Sequence, residues 1–311
     1  MRSFALLRAA VAVSCVSVAL ARNILLTNDD GWAVAQIRAQ YEELTDAGFD
    51  VVLSCPAENM SGTGSTTATP TVLTEPCEYD TCPVGSPAEG FNASNPRFNY
   101  VNAYPVDAAH YGIQTLAPKF FWGAKPEFVV SGPNIGNNLG TVVLISGTVG
   151  AACESAKEGI PATAFSGGTG SQVSYTTLES DPTASSSESS WLYGVLTVHY
   201  VETLLDTFFY PVLPPGIIVN VNYAPIDDCP STFDYKWVFS RNLADANATD
   251  IWTCGSTTLP AESDVVATSG CYNSVSVLNA TTKADVGADL QLEVYTRLLG
   301  LPFSCLPSSS S

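Results

Sequence analysis

The chain has 311 residues, 46% of them apolar, with 30 acidic against 12 basic side chains. Domains cluster around ~100–200 residues, so this is an ordinary globular protein able to bury one large core or two modest ones. The acidic excess excludes binding of a nucleic-acid polymer or an anionic membrane through a broad basic face, and any phosphate-bearing ligand must be captured locally.

Residues 1–21 read as a secretory signal. Arg2 and Arg8 give a positive start, residues 9–20 are apolar apart from Ser14 and Ser17, and Ala19-Leu20-Ala21 supplies a small-x-small cleavage pattern. The apolar run is shorter than the ~20 residues that span a bilayer, and no later segment is apolar and long enough to do so. The expected mature protein is secreted and begins at Arg22, with ten basic residues left and eight of the nine cysteines, Cys15 being removed. An even count suits an oxidising compartment. Cys77 and Cys82 are close enough for a local bridge, and Cys229, Cys254, Cys271 and Cys305 crowd the C-terminal third, but pairing is not readable. With no CxxC pair and two histidines, zinc is disfavoured. Asn59, Asn92, Asn247 and Asn279 each begin an N-glycosylation pattern.

Residues 23–27 form an apolar run ending in Asn28-Asp29-Asp30-Gly31, a buried strand followed by a turn. Ile37, Tyr41 and Leu44 recur at helical spacing, Gly48 sits where a C-cap glycine would, and residues 49–53 are the next strand. The pattern repeats: residues 127–131 are apolar, 133–147 are a Gly/Asn-rich loop, 148–158 are helical and 161–165 are apolar. Such alternation predicts a Rossmann-like three-layer α/β fold, its mainly parallel sheet linked by right-handed crossovers. The Ser/Thr-rich segments 63–74 and 176–190 read as exposed loops. A helix follows with Trp191, Val195, Val198, Leu205 and Phe208 on its face, closed by Pro211, and 216–221 are a further strand. Residues 227–269 read as a cysteine-bearing, disulfide-stapled extension. A last helix over 288–299 carries Leu292, Tyr295 and Leu299 on one face, before a Ser-rich tail, 306–311. Residues 22–305 therefore form one domain.

Three polar loops fall at the carboxyl ends of strands, where open α/β sheets bind ligands. Asp29 and Asp30 are adjacent carboxylates, costly to desolvate together, so a cation is one reading and a solvated turn the other. The loop 56–64, with Ser61, Gly62 and Gly64, offers a hydroxyl and close backbone approach, or is a flexible hairpin tip. The third loop carries Asn134 and Asn138 and leads to Ser146-Gly147-Thr148 at a helix start, which is either an anion cradle or a capped turn.

Taken together, NDDG at 28–31, NMSG at 59–62, SGPNIGNNLG at 131–140 and SGTVGAA at 146–152 closely resemble the SurE (survival protein) family of metal-dependent nucleotidases and acid phosphatases. The resemblance spans roughly residues 23–280 and includes a "P…NVN" strand from Pro214 to Asn222. It implies that Asp29, Asp30, Ser61 and Asn134 are metal ligands, Asp29, Asp30 and Asn134 acting in catalysis, and that Asn138, Ser146, Gly147 and Thr148 line a phosphate pocket. All-oxygen ligation favours Mg²⁺ or Mn²⁺, with Ca²⁺ as a non-catalytic occupant. The implied reaction is hydrolysis of a small phosphate monoester by metal-activated water. The resemblance also implies a homodimer or larger assembly, which the extension would alter. Pro133 and the segment 104–110 depart from the family pattern. His110 and His199, on helices away from the motif loops, are read as packing or surface residues. A catalytically silent secreted binding or surface glycoprotein on the same fold is the competing reading.

Overall fold

A computed structural model describes residues 21–307; the predicted signal up to residue 20 and the tail from 308 onward lie outside the described residues. Six strands run parallel: β1 (Asn23–Thr27), β2 (Asp50–Pro56), β4 (Phe98–Val101), β5 (Phe128–Ile135), β6 (Ala162–Gly167) and β7 (Ile217–Tyr223). β3 (Glu89–Phe91) pairs antiparallel with β4, β9 (Tyr272–Asn279) antiparallel with β7, and β8 (Lys236–Ser240) parallel with β9. The mixed sheet has nine strands in the order β3-β4-β2-β1-β5-β6-β7-β9-β8.

Strand alternation explains the three layers. Ile24, Leu26, Val51, Leu53, Phe128, Val130, Phe165 and Val219 face one side of the sheet and pack under α1 (Ala35–Asp46) and α6 (Ser185–Leu205). Leu25, Val52, Val129, Ala164 and Ile218 face the other side, beneath α4 (Gly147–Lys157) and the helical stretch that begins with α2 (Pro105–Tyr111) and ends with α3 (Ala117–Phe120). With both faces covered, the central strands read as continuous apolar runs rather than alternating ones.

The expectation of uniformly right-handed crossovers is corrected. The step from β1 to β2 runs one way along the sheet and that from β6 to β7 runs the other, yet α1 and α6 lie on the same face. The two crossovers therefore have opposite hands, while β5-α4-β6, on the opposite face, shares the hand of β1-α1-β2. Three further expectations change. The serine-rich segment 176–190 is not a loop: α5 (Thr177–Ser180) forms within it, and α6 starts at Ser185 with Ser186, Ser187, Ser189 and Ser190 buried. Gly194 lets α6 lie close to Ala39 and Glu43 of α1, and Ser190 Oγ returns its hydrogen bond to Ser186 O at 2.6 Å. The buried face of α6 is Tyr193, Leu196, Tyr200 and Leu204, not that of Val195 and Phe208, which are exposed; the last helix, α8 (Ala288–Arg297), likewise buries Gln291 and Val294 and leaves Leu292 out. The extension 227–269 is part of the sheet, contributing β8 and α7 (Glu262–Ala267).

Bridges join Cys77 to Cys82, Cys229 to Cys271 and Cys254 to Cys305, while Cys55 and Cys153 are buried free thiols. The even count thus divides into three bridges and two core residues. Phe165, fully buried between Tyr200 and Tyr223, and Trp122, 98% exposed, make a clean comparison. Phe165→Ala should cost about 3–5 kcal/mol, read from the urea midpoint, and Trp122→Ala within about 0.5 kcal/mol.

Candidate active site

The C-terminal ends of β2, β1 and β5 lie side by side and place the three polar loops on one edge. After β1, Asn28 closes the turn: its Nδ2 donates to Gly31 O at 2.9 Å and its Oδ1 accepts from Gly31 N at 3.3 Å. Gly31 adopts φ 110°, open to glycine at little cost, and a Cβ there would collide with the Glu78 carboxylate. Met60 N donates to Asp29 O at 2.7 Å and Gly64 N to Ile145 O at 2.8 Å, so the 59–64 loop is tied both to the Asp29 turn and to the segment before α4.

Asp29 and Asp30 are each 2% exposed. Thr148 Oγ1 donates to Asp29 Oδ1 at 2.5 Å, and the N–H groups of Gly147 and Thr148 also point at this carboxylate. Burial pushes the Asp29 pKa up, and these hydrogen bonds oppose the rise. Asp30 is driven well above the usual carboxylate range by burial and then by the neighbouring Asp29; Ile135 N, at 2.9 Å from Oδ2, and the Ser61 hydroxyl oppose it. Asn134 directs Nδ2 to Ile135 O (3.2 Å) and Gly136 O (2.6 Å), which leaves its Oδ1 as the outward acceptor. Asp29, Asp30, Ser61 and Asn134 are thus brought together from two loops and the end of β5. The donor set is all oxygen, and among the described residues no Lys or Arg pairs with either aspartate. Two desolvated carboxylates without a counter-charge fit a hard divalent cation.

The start of α4 serves differently from an open anion cradle. Gly147 and Thr148 N–H face Asp29, and Val149 N donates to the Ser146 hydroxyl at 3.0 Å, so the anion at this helix terminus is Asp29 itself. Gly147 and Thr148, read in the sequence as lining a phosphate pocket, thus turn their N–H groups to Asp29. Gly147 is required for the approach, because a Cβ would come within 2.8 Å of the Asp29 Cβ and 2.9 Å of the Pro105 ring. Asn138 is held from below: its N–H donates to Asn222 Oδ1 (2.8 Å), its Nδ2 to Ser166 Oγ (2.8 Å), and its carbonyl accepts from Asn220 Nδ2 (3.0 Å).

Glu78, missed in the sequence, is a third carboxyl beside the pair. It follows Cys77 inside the Cys77–Cys82 loop, takes Gln172 Nε2 on Oε1 at 2.6 Å, and has Oε2 buried without a partner. Burial lifts it to about 7. The only signal was an acid next to a short-range cysteine pair. His110, on α2, is exposed and pairs with Glu158, which follows the last residue of α4; with Glu154 of α4 these ligand atoms lie within 4.8 Å of one another near the C-terminal end of that helix, whereas Asp29 meets it at its start. A cavity of about 820 Å³, lined by Phe239, Trp252, Tyr295 and Phe303, lies on the β8 side and contains none of these residues.

A carboxyl whose folded pKa is raised stabilises the fold below its unfolded pKa and loses that contribution as pH rises toward the folded value. Metal-free protein should therefore lose stability as pH rises above about 3.8, the ordinary Asp value from which both groups are shifted upward. Metal-free Asp30→Asn should melt higher than wild type at pH 7 and converge with it near pH 4; scanning calorimetry in chelator checks this, and identical pH dependences would contradict it.

Residues 24–242 match the family model described as Survival protein SurE. An acid phosphatase from Yarrowia lipolytica is 35% identical over 286 residues, covering 82% of this chain and 78% of that protein. A 5'-nucleotidase SurE from Lawsonia intracellularis is 33% identical over 204 residues, 66% of each chain. The crystal structure of the SurE protein from Aquifex aeolicus superposes with a TM-score of 0.56 over 83% of this chain and 94% of its own, at 23% identity, which supports the shared fold. With both its sequence and its fold so matched, this chain belongs to the SurE family.

Proposed function

We propose that the chain is a secreted, divalent-metal-dependent phosphomonoesterase of the acid phosphatase or nucleotidase type. The observation that carries this reading is the Asp29–Asp30 pair, buried, without a cationic partner and anchored on the start of α4. The names of the relatives from Yarrowia lipolytica and Lawsonia intracellularis support the reaction class. Asp29, Asp30, Ser61 and Asn134 would hold Mg²⁺ or Mn²⁺, which when bound supplies Lewis-acid polarisation of the phosphoryl oxygens and acidifies water beside it. Thr148 fixes Asp29 Oδ1, and with Gly147 opposes the burial that raises this carboxyl's pKa, so that the anionic form has Oδ2 left to accept a proton from the attacking water. The water oxygen bonds to phosphorus as the ester P–O bond breaks, and the alcohol departs with a proton from solvent. Asn138 and Ser146, on the β5 side of the pair, are the side chains assigned to the phosphate.

Secretion rests on the signal-like residues 1–21, the three bridges and the sequons. Among the described residues no helix is long and apolar enough to cross a membrane.

The test is hydrolysis of an aryl phosphate and of nucleoside monophosphates by residues 22–311. EDTA should abolish release, Mg²⁺ or Mn²⁺ should restore it, and Asp30→Asn should lower kcat/KM by more than about a hundredfold. Metal binding without turnover of any ester would favour the binding glycoprotein instead. Asn59 is exposed, but its Oδ1 accepts Ser61 N at 2.8 Å, beside the site. A glycopeptide map should find Asn247 modified and Asn59 bare; full occupancy at Asn59 would contradict the role given to Ser61.

A further inference from the structure

Glu262 is an acidic residue completely buried in the interior of the chain, yet no part of the site described above uses it. It opens α7, in the extension, and its carboxyl lies beneath the loop between β5 and α4. Asn220 Nδ2 donates to Glu262 Oε1 at 2.9 Å and the same nitrogen donates to the Asn138 carbonyl at 3.0 Å. The Gly140 N–H and the Ser276 side chain also face the carboxyl. One acid thus touches both sides of the three-residue stretch 138–140: Asn138 through Asn220, and Gly140 directly. The backbone holds it in turn, with Glu262 N donating to Arg241 O at 2.7 Å.

Among the described residues no cation balances this group. Arg241, the nearest base on the adjoining segment, is paired with Asp250 and Asp285, and the remaining charged neighbour, Asp285, adds repulsion. Glu262 Oε2 and Asn220 Oδ1 are both buried with no hydrogen-bond partner. A carboxyl buried without a counter-charge and with one oxygen unpartnered is stabilised by taking up a proton, which removes the charge and turns that oxygen into a donor.

We propose that Glu262 is a positioning residue that, in its protonated form and through Asn220 and Gly140, fixes the Asn138–Gly140 loop for phosphate binding. The proposal rests on the assignment of Asn138 to the phosphate side of the site. Burial raises the Glu262 pKa to about 8, so the acid is neutral across acidic and neutral pH and ionises on the alkaline side. Ionisation would set an uncompensated anion beneath the phosphate loop.

The experiment measures the affinity of the Mg²⁺-loaded secreted chain for inorganic phosphate, as a competitive inhibitor and by direct titration, between pH 6 and 9.5. Wild type, Glu262→Gln and Glu262→Leu are compared, with Mg²⁺ affinity and melting temperature alongside. Glu262→Leu should weaken phosphate about tenfold at pH 6.5, with Mg²⁺ affinity unchanged. Glu262→Gln should bind phosphate within about twofold of wild type at pH 6.5 and, lacking a titrating group, about fivefold or more tightly than wild type at pH 9.5. The ratio of the two proteins cancels the titration of phosphate itself. A Gln-to-wild-type ratio that stays flat with pH overturns the proposal, as does a folded Leu variant with wild-type phosphate affinity. Should the Leu variant not fold, the Gln ratio decides alone. Because direct titration needs no turnover, a wild type that binds phosphate with this pH dependence but hydrolyses no ester would refute the catalytic reading and leave the loop assignment standing.

Discussion

The desolvation of two neighbouring carboxylates at the end of β1 is the constraint around which the rest is arranged. Placing Asp29 and Asp30 side by side at 2% exposure is unfavourable for the isolated chain. The fold answers it with neutral donors: the start of α4 and the Thr148 hydroxyl for Asp29, Ile135 N and the Ser61 hydroxyl for Asp30. Neutral donors lower the cost without cancelling the charge, so the electrostatic demand for a cation persists. A lysine in the same place would have stabilised the protein and removed that demand.

Close approach of α4 to Asp29 has its own requirements. Gly147 and Gly150 both lie where a Cβ would collide, the first with Asp29 and Pro105, the second with the Gly64 carbonyl. The same two glycines weaken α4 as an isolated helix, and the sheet beneath it offsets that through Val149, Ala152 and Cys153 packed on Val129 and Ala164. The helix is therefore held by its tertiary packing, and its first turn is free to meet the aspartates.

What the sequence made legible follows one rule. Runs such as 24–26 and 128–130 are apolar because both faces of a parallel sheet are covered, and turn residues punctuate their ends, so the central sheet and the three loops could be read directly. Elements whose signal is small or polar could not be. Ser185 to Ser190 looks like a loop by composition, and only the folded chain shows Ser187, Ser189 and Ser190 buried with their hydroxyls on carbonyls of the same helix or of the segment just before it. In α6 apolar residues surround the helix, so periodicity pointed to Val195 and Phe208 while the core took the tyrosines, whose hydroxyls find partners such as Ala224 O. β8 hides in a segment rich in cysteine and proline, because an edge strand five residues long needs little periodicity.

Buried acids are the least legible class, because their meaning is set by neighbours distant in sequence. Asp29 and Asp30 drew attention as a pair at a strand end, whereas Glu78 and Glu262 each stand alone in polar surroundings. Their environments nevertheless separate the four. Asp29 is surrounded by donors that favour its anion; Glu262 is buried with one oxygen bound to the Asn220 amide and the other unpartnered, surroundings that suit a neutral acid. The extension that carries Glu262 is consequently more than a disulfide-bonded appendage. By adding β8 and α7 to the far side of β7 and β9, it closes the sheet and places an acid under the loop that links β5 to α4. The same nine-strand sheet thus presents carboxylates needing a cation on one side of β5 and a carboxyl needing a proton beneath the loop on the other.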